Sequence, residues 1–443
     1  MKKVLVIAYF FPPLGGSGVQ RTLKFVKYLP EFEIRPIIST VKHGHNFAYD
    51  ESLLKEIPKI ARVFRSDSLE TLWLRRIIEK AAGFRRQKVR EIPTQVGQGD
   101  RQQEIQGKSF KQRVFDFIDN YLFIPDSKMR WLPCGFLTSL KVARKEKVDF
   151  ILSSSYPYTV HIIALLVNKF YRRPWIADFR DPWVGNKAMA KDIAFRRKLD
   201  IWLERKVVEK AAYIINVAPP ITEMYKQRYP EFAGKMITIT NGFDEQDFRS
   251  LSPVHQEKFT LIYTGIINEI NYDIATFVRG VADFLKEKPA ARTNFQCLFI
   301  GYIPPAVIEI FVQHNIRDIL VTLPYLEHRE CLNYLAGAHL QFLTFGQELD
   351  NAYSGKLFDY IGSGKPVLAL LPQGVAAELI REKQIGTVIS LGHWEEVSKG
   401  IGKYYQEWLE GRAVNHESAS KCREFSRINL TARLADLFSK MDT

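Results

Sequence analysis

Short apolar runs and amphipathic stretches alternate along this chain, a pattern that predicts parallel β-sheets covered by helices on both faces. In the first half, Val4–Phe10 reads as a strand, Gly18–Leu29 as a helix and Arg35–Thr40 as a strand. Strand Phe150–Ser154, helix Thr159–Phe170, strand Trp175–Asp178, helix Lys198–Lys210 and strand Tyr213–Val217 continue the scheme. The second half repeats it, with strands at Phe259–Thr264, Phe295–Ile300, Ile319–Leu323, Leu340–Thr344 and Val367–Leu371. Two such arrays predict an α/β chain of two doubly wound, Rossmann-like domains facing each other.

The turn-rich string Asn241-Gly242-Phe243-Asp244 places the boundary near residue 240, giving domains over 1–240 and 241–415. The tail, 416–443, reads as one or two helices packing back on the first domain. Residues 69–147 break the alternation. Leu69, Leu72, Trp73, Ile77, Ala81 and Phe84 recur at helical spacing among Arg75, Arg76, Lys80, Arg85 and Arg86. A Gln-rich loop and a second amphipathic stretch, Phe110 to Phe123, follow. Such a basic, aromatic insertion suits either a bilayer interface or a cap on the domain core.

Charge sharpens the division between the halves. Residues 1–240 carry 43 Lys and Arg against 24 Asp and Glu, a net +19, whereas residues 241–443 carry 20 against 25. The first half is therefore suited to an anionic surface. The chain shows neither a stacking aromatic set nor a nucleic-acid-binding module, which leaves phospholipid as the favoured surface. At 443 residues the chain exceeds the ~250–300 that one core serves. Cys134, Cys297, Cys331 and Cys422 lie far apart, against a zinc site or disulfide framework and in keeping with a reducing compartment. No apolar run approaches the ~18 residues of a spanning helix. Pro12-Pro13 interrupts the apolar start, so Val4 onward reads as a buried strand rather than a signal peptide.

Three strings carry candidate chemistry. The turn Pro12-Pro13-Leu14-Gly15-Gly16-Ser17-Gly18 joins the first strand to a helix, where Gly15 and Gly16 let a ligand approach the backbone. It is a poor dinucleotide fingerprint, because Arg21 replaces the third glycine and the second strand ends at Ser39-Thr40 without an acid. Trp175-Ile176-Ala177-Asp178-Phe179-Arg180-Asp181-Pro182-Trp183 ends a strand at the edge where open parallel sheets collect ligands. Asp178, Arg180 and Asp181 are accordingly expected to point toward substrate. Ser354-Gly355-Lys356-Leu357-Phe358-Asp359 opens a helix whose N-terminal amides and Lys356 together suit a phosphate. His161, in an apolar helix, reads as core.

The order and spacing of these strings, with Asn241-Gly242-Phe243-Asp244 and Phe248 at the domain joint, resemble the GT-B glycosyltransferases. Within them the chain resembles the family 4-like, nucleotide-sugar-dependent retaining enzymes, and the tryptophan-flanked string looks like that of bacterial members building surface polysaccharides. The resemblance implies donor binding on the second domain, acceptor binding on the first and reaction in the cleft between them. It further implies metal-independent transfer from a UDP- or GDP-sugar to a membrane-associated glycolipid, by a cytoplasmic protein peripheral on the inner membrane. No cofactor beyond that co-substrate is expected, and the sequence offers no D-x-D pair or His cluster at ligand spacing. Lys356 would then neutralise the leaving diphosphate with Arg180 as helper. Asp181 would position or deprotonate the acceptor. Gly15, Gly16, Asn351, Ser354, Gly355 and Asp359 would contact the donor, and Tyr325 would meet its base.

Two departures from the family bear on activity. Many relatives carry two glutamates eight positions apart, where this chain has Asn351 and Asp359. Relatives also place cations after the first strand of the second domain, where Thr264-Gly265-Ile266-Ile267 has none. Two alternatives therefore stay open: a catalytically silent scaffold in polysaccharide assembly, and a sugar-nucleotide 2-epimerase on the same architecture.

Overall fold

The structure, a computed structural model, describes residues 1–44, 49–69, 123–185, 193–267, 272–346, 351–412 and 418–442. Most of the expected basic insertion, residues 70–122, lies outside them. The chain forms two compact units, one of Met1–Asn216, Lys226–Ile237 and Leu437–Thr443, the other of Val217–Tyr225 and Thr238–Asp436.

The first unit holds a seven-stranded sheet of β1 (Lys2–Ile7), β2 (Ile34–Val41), β3 (Arg62–Ser66), β4 (Phe150–Ser154), β5 (Trp175–Phe179), β6 (Tyr213–Asn216) and β7 (Met236–Thr238). Their order is β3-β2-β1-β4-β5-β6-β7. β1 lies between parallel neighbours, with Val4 against Pro36 on one side and Phe150 on the other. Val4, Leu5, Val6 and Ile7 are all fully buried, as a central strand covered on both faces requires. Helix Leu132–Glu146, within the region read as an insertion, belongs to this core: its Ser139 hydroxyl donates to Ser39 of β2. At the chain's end, Phe438 packs on Phe150 at 5.1 Å and Asp442 pairs with Lys2 at 2.8 Å.

The second unit has β8 (Phe259–Thr264), β9 (Phe295–Ile300), β10 (Leu320–Leu323), β11 (Leu340–Thr344), β12 (Val367–Leu370) and β13 (Gly386–Ile389), ordered β10-β9-β8-β11-β12-β13. Successive side chains on each strand enter opposite cores. Leu261, Tyr263, Leu368 and Leu370 pack with Phe277, Phe284 and Tyr405 on one face. Ile262, Val367, Ala369 and Leu371 pack with Leu357, Phe358 and Ile361 on the other. This two-sided burial is why both sheets read as continuous apolar runs.

In each unit the first strand runs out one way to the second and third while the fourth pairs on its other side, so the chain reverses direction between β1 and β4 and again between β8 and β11. Ligands of open parallel sheets bind at the carboxyl ends of the strands flanking such a reversal.

Candidate functional site

At the reversal of the first sheet, Gly16 has φ +84°, a conformation that favours glycine, and it caps helix Ser17–Tyr28 without a side-chain hydrogen bond. The turn is pinned by the Asp50 amide, which donates to the Pro13 carbonyl at 2.9 Å, and by Arg65, which donates to that of Pro12. Beneath it, Arg21 grips Asp178 from two nitrogens, at 2.7 and 2.9 Å, with both side chains fully buried. Ser154 donates to the same carboxylate at 2.7 Å. This corrects the expectation that Asp178 faces substrate. The arginine that displaces the third glycine needs a buried counter-ion, and Asp178 supplies it.

Arg180 donates to the Gly18 carbonyl at 2.5 Å, so the loop after β5 and the Gly15-Gly16 turn share one edge of the unit. Burial pulls its guanidinium down from the ordinary value, and Asp181 partly opposes this. Asp181 is exposed, and desolvation by its surroundings raises its carboxyl against the pull of Arg180. The loop is held from behind. Trp183 stacks on Tyr158 with ring centres 5.0 Å apart and donates to Asp200, and the Glu204 carboxylate accepts the Val184 amide at 2.8 Å. His161 is fully buried beside Ser153, and burial lowers its pKa to about 3; it is core.

The second unit concentrates charge and strained glycine at its own reversal. Gly265 follows β8 with φ +107°, and a Cβ there would meet Lys356 Cε at 2.7 Å. Gly301 follows β9 with φ +126°, and its missing Cβ leaves room for the Gly265 carbonyl oxygen 2.4 Å away. The Lys356 side chain thus lies against Gly265, whose backbone in turn packs on Gly301. Its Nζ sits 5.2 Å from the Tyr263 ring centre and 5.8 Å from that of Tyr272. Desolvation lowers the ammonium to about 8, while Asp359 acts in the opposite direction. Lowered lysines held against a specific acid at such a crevice are functional candidates.

Ser354 caps helix Gly355–Ser363 with no side-chain hydrogen bond; its carbonyl accepts the Leu357 amide at 3.1 Å, which leaves the Gly355 and Lys356 amides at the helix start to a ligand or water. Asp359, one turn on from Lys356, lies 3.7 Å from His328. Tyr325, three residues before His328 in the same segment, is 44% exposed. Asn351 is exposed in the turn that leads to the helix. The structure thus brings Ser354, Gly355, Lys356 and Asp359 to one crevice, and adds Gly265, Gly301, Tyr263 and His328, which the sequence did not single out as site residues. The usable signal for the glycines was their position directly after the first and second strands of an array.

The string at the domain joint proves to be structural. Gly242 approaches the Phe425 carbonyl closely enough that a Cβ would clash. Phe243 is buried with its amide donating to that carbonyl at 3.1 Å, and Asp244 caps helix Glu245–Arg249 by accepting the Gln246 amide. Phe248 fills the space left by Gly362.

No protein-family model matches the chain, and no curated protein matches it. Among solved structures it is similar to sucrose-phosphate synthase from Thermosynechococcus elongatus, at TM-score 0.64 and 12% identity, covering 100% of this chain and 99% of that one. It is also similar to Anabaena HepE in complex with UDP and glucose, at TM-score 0.60 and 11% identity over 99% and 100% of the two chains. A putative UDP-N-acetylglucosamine 2-epimerase from Listeria monocytogenes matches at TM-score 0.56 and 12% identity, over 100% and 97%. The chain has the GT-B fold that these structures share, with two Rossmann-like parallel sheets.

Proposed function

We propose that this protein is a family 4-like glycosyltransferase that moves a sugar from a UDP- or GDP-linked donor, with retention, to a membrane-associated glycolipid or polysaccharide intermediate. The observation that carries this reading is the contact of Lys356 with Gly265 at the chain reversal of the second sheet, at the start of a helix without a side-chain cap. As the anomeric C–O bond breaks, its electron pair leaves on the diphosphate. Lys356 and the first-turn amides of Gly355–Ser363 take up that charge without a divalent ion. Asp359 accepts from the donor's hydroxyls, and exposed Tyr325 offers a face to the base. In the first unit, Gly15 and Gly16 supply backbone contacts, Arg180 adds positive charge, and Asp181 orients the acceptor hydroxyl and takes its proton. The net +19 of residues 1–240 supports docking on an anionic, cytoplasmic membrane face.

A thermal-shift panel of UDP-, GDP- and ADP-sugars tests donor binding, because a ligand specific to the folded state raises the melting temperature. Stabilisation by one donor, followed by transfer in the presence of chelator and loss of both in Lys356→Ala, is expected. A panel without any shift refutes the reading. The epimerase alternative has one observation in its favour, the His328–Asp359 pair, which offers acid–base chemistry beside the crevice. Conversion of a UDP-sugar to its C2 epimer without acceptor would decide for it.

A further inference from the structure

We propose that helix Ala194–Lys210 is the face by which the first unit docks on an anionic bilayer, with Phe195 and Trp202 entering the headgroup region. The inference builds on the membrane-held acceptor proposed above. The helix sorts its side chains sharply. Arg196, Glu204, Val207 and Val208 are buried. Arg196 donates to the Pro125 carbonyl at 2.7 Å, and Glu204 accepts from Arg228 and Tyr229 at 2.8 Å each. These contacts fix the rotation of the helix. Phe195 and Trp202, seven residues apart and so on one side, are left 61% and 54% exposed, with Ile201 at their flank 39% exposed.

The charges are sorted in the same way. Both acids between Ala194 and Arg205 turn inward: Asp200 accepts from Trp183 and pairs with Arg196, and Glu204 is fully buried. Arg197, Lys198 and Arg205 are exposed. Arg205 is met by exposed Glu231 at 2.8 Å, so the outer side is aromatic with its net positive charge carried by Arg197 and Lys198. A helix face that met only water would be polar. Large aromatics beside lysine and arginine match the chemistry of the bilayer interface, where the rings sit at headgroup level and the cations meet anionic lipid.

The test is co-sedimentation of the full chain with phosphatidylcholine vesicles, with and without phosphatidylglycerol. Binding to the anionic vesicles that weakens with salt is expected for the wild type. Removing two exposed cations in Arg197→Gln/Lys198→Gln should weaken it about 25-fold, at about fivefold for each charge. The double variant Phe195→Ser/Trp202→Ser should lose at least tenfold. Both variants alter exposed side chains and should retain the donor-induced thermal shift, which separates loss of docking from loss of the donor site. Wild-type binding that both variants keep in full overturns the proposal. Absence of wild-type binding to either vesicle, as an acidic protein partner would give, overturns it too and leaves donor binding untouched.

Discussion

The state of Lys356 gives the most exacting test of the donor site. Its groove, walled by Gly265, Tyr263 and Tyr272, desolvates the ammonium and lowers it to about 8. A group with that pKa is about 90% charged at pH 7 and about 10% charged at pH 9. If only the charged form holds the diphosphate, apparent affinity scales with that fraction and UDP binding weakens about tenfold between the two pH values. The charged bond contributes about 1.5–3 kcal/mol, enough for the full effect to appear. The diphosphate's own last proton leaves near pH 6 and does not confound this window. Near pH 8, binding should draw about half a proton from solution, as the ligand restores the charge. Isothermal titration in buffers of different ionisation enthalpy reads both quantities. Lys356→Arg should bind with a flat profile over pH 7–9, because guanidinium keeps its proton. The folded pKa lies below the ordinary 10.5, so stability rises as pH increases from about 8 to 10.5, and burying the charge at pH 7 works against folding. Lys356→Met should therefore lose UDP binding without losing thermal stability at pH 7. A wild type with equal affinity at pH 7 and 9, or a Lys356→Met protein with the wild-type pH slope, refutes the assignment.

Replacing Asp178 by Asn strands buried Arg21 and should cost about 3–5 kcal/mol in urea unfolding, whereas Asp181→Asn should cost nothing at pH 7. The Asp181 carboxyl is raised in the folded protein, so its charge opposes folding once pH exceeds the ordinary carboxylate value; transfer activity, not stability, should fall in that variant. Gly301→Ala forces a Cβ against the Gly265 carbonyl at a positive φ and should destabilise the second unit by about 1–3 kcal/mol and abolish the donor thermal shift. His161 titrates near 3 when folded and near 6.5 when unfolded, so stability drains as pH falls through that interval. Between pH 6.5 and 4 the wild type should lose roughly 3 kcal/mol more than His161→Gln, measured by urea midpoints.

The central strands were legible because both their faces are buried and nothing but apolar residues will serve there. Of the strands at the margins, β10 was legible as Ile319–Leu323 and lies at Leu320–Leu323, but β3 and β13 were not legible. β3 reads Arg-Val-Phe-Arg-Ser and only its Ser66 is fully buried, while β13 is a four-residue strand of which only Ile389 is buried. Helix Ala194–Lys210 was expected to start at Lys198. Its first turn inverts the usual pattern, with Phe195 outside and Arg196 inside, so a hydrophobic period finds no inner face there.

The candidate site divides along the same physical line. Lys356 could be singled out from sequence because the role proposed for it follows from position alone: a cation in the first turn of the helix after the fourth strand of an array stands where a phosphate would. The role of Asp178 depends on a partner 157 residues away, and no local pattern distinguishes an acid facing ligand from one facing Arg21. One signal was available. An arginine standing where a fingerprint has its close-packing glycine must either splay the helix from the sheet or find a buried counter-ion. An acid at the end of the strand two places over is such a partner. The missing cation after β8 is explained on similar grounds. Gly265 leaves its side-chain volume to the Lys356 stem, so Lys356 stands beside the turn where the resembled family is expected to place its cations. Such a site should respond to Lys356→Met more severely than one with redundant cations, because the second unit then rests the diphosphate's charge on a single side chain.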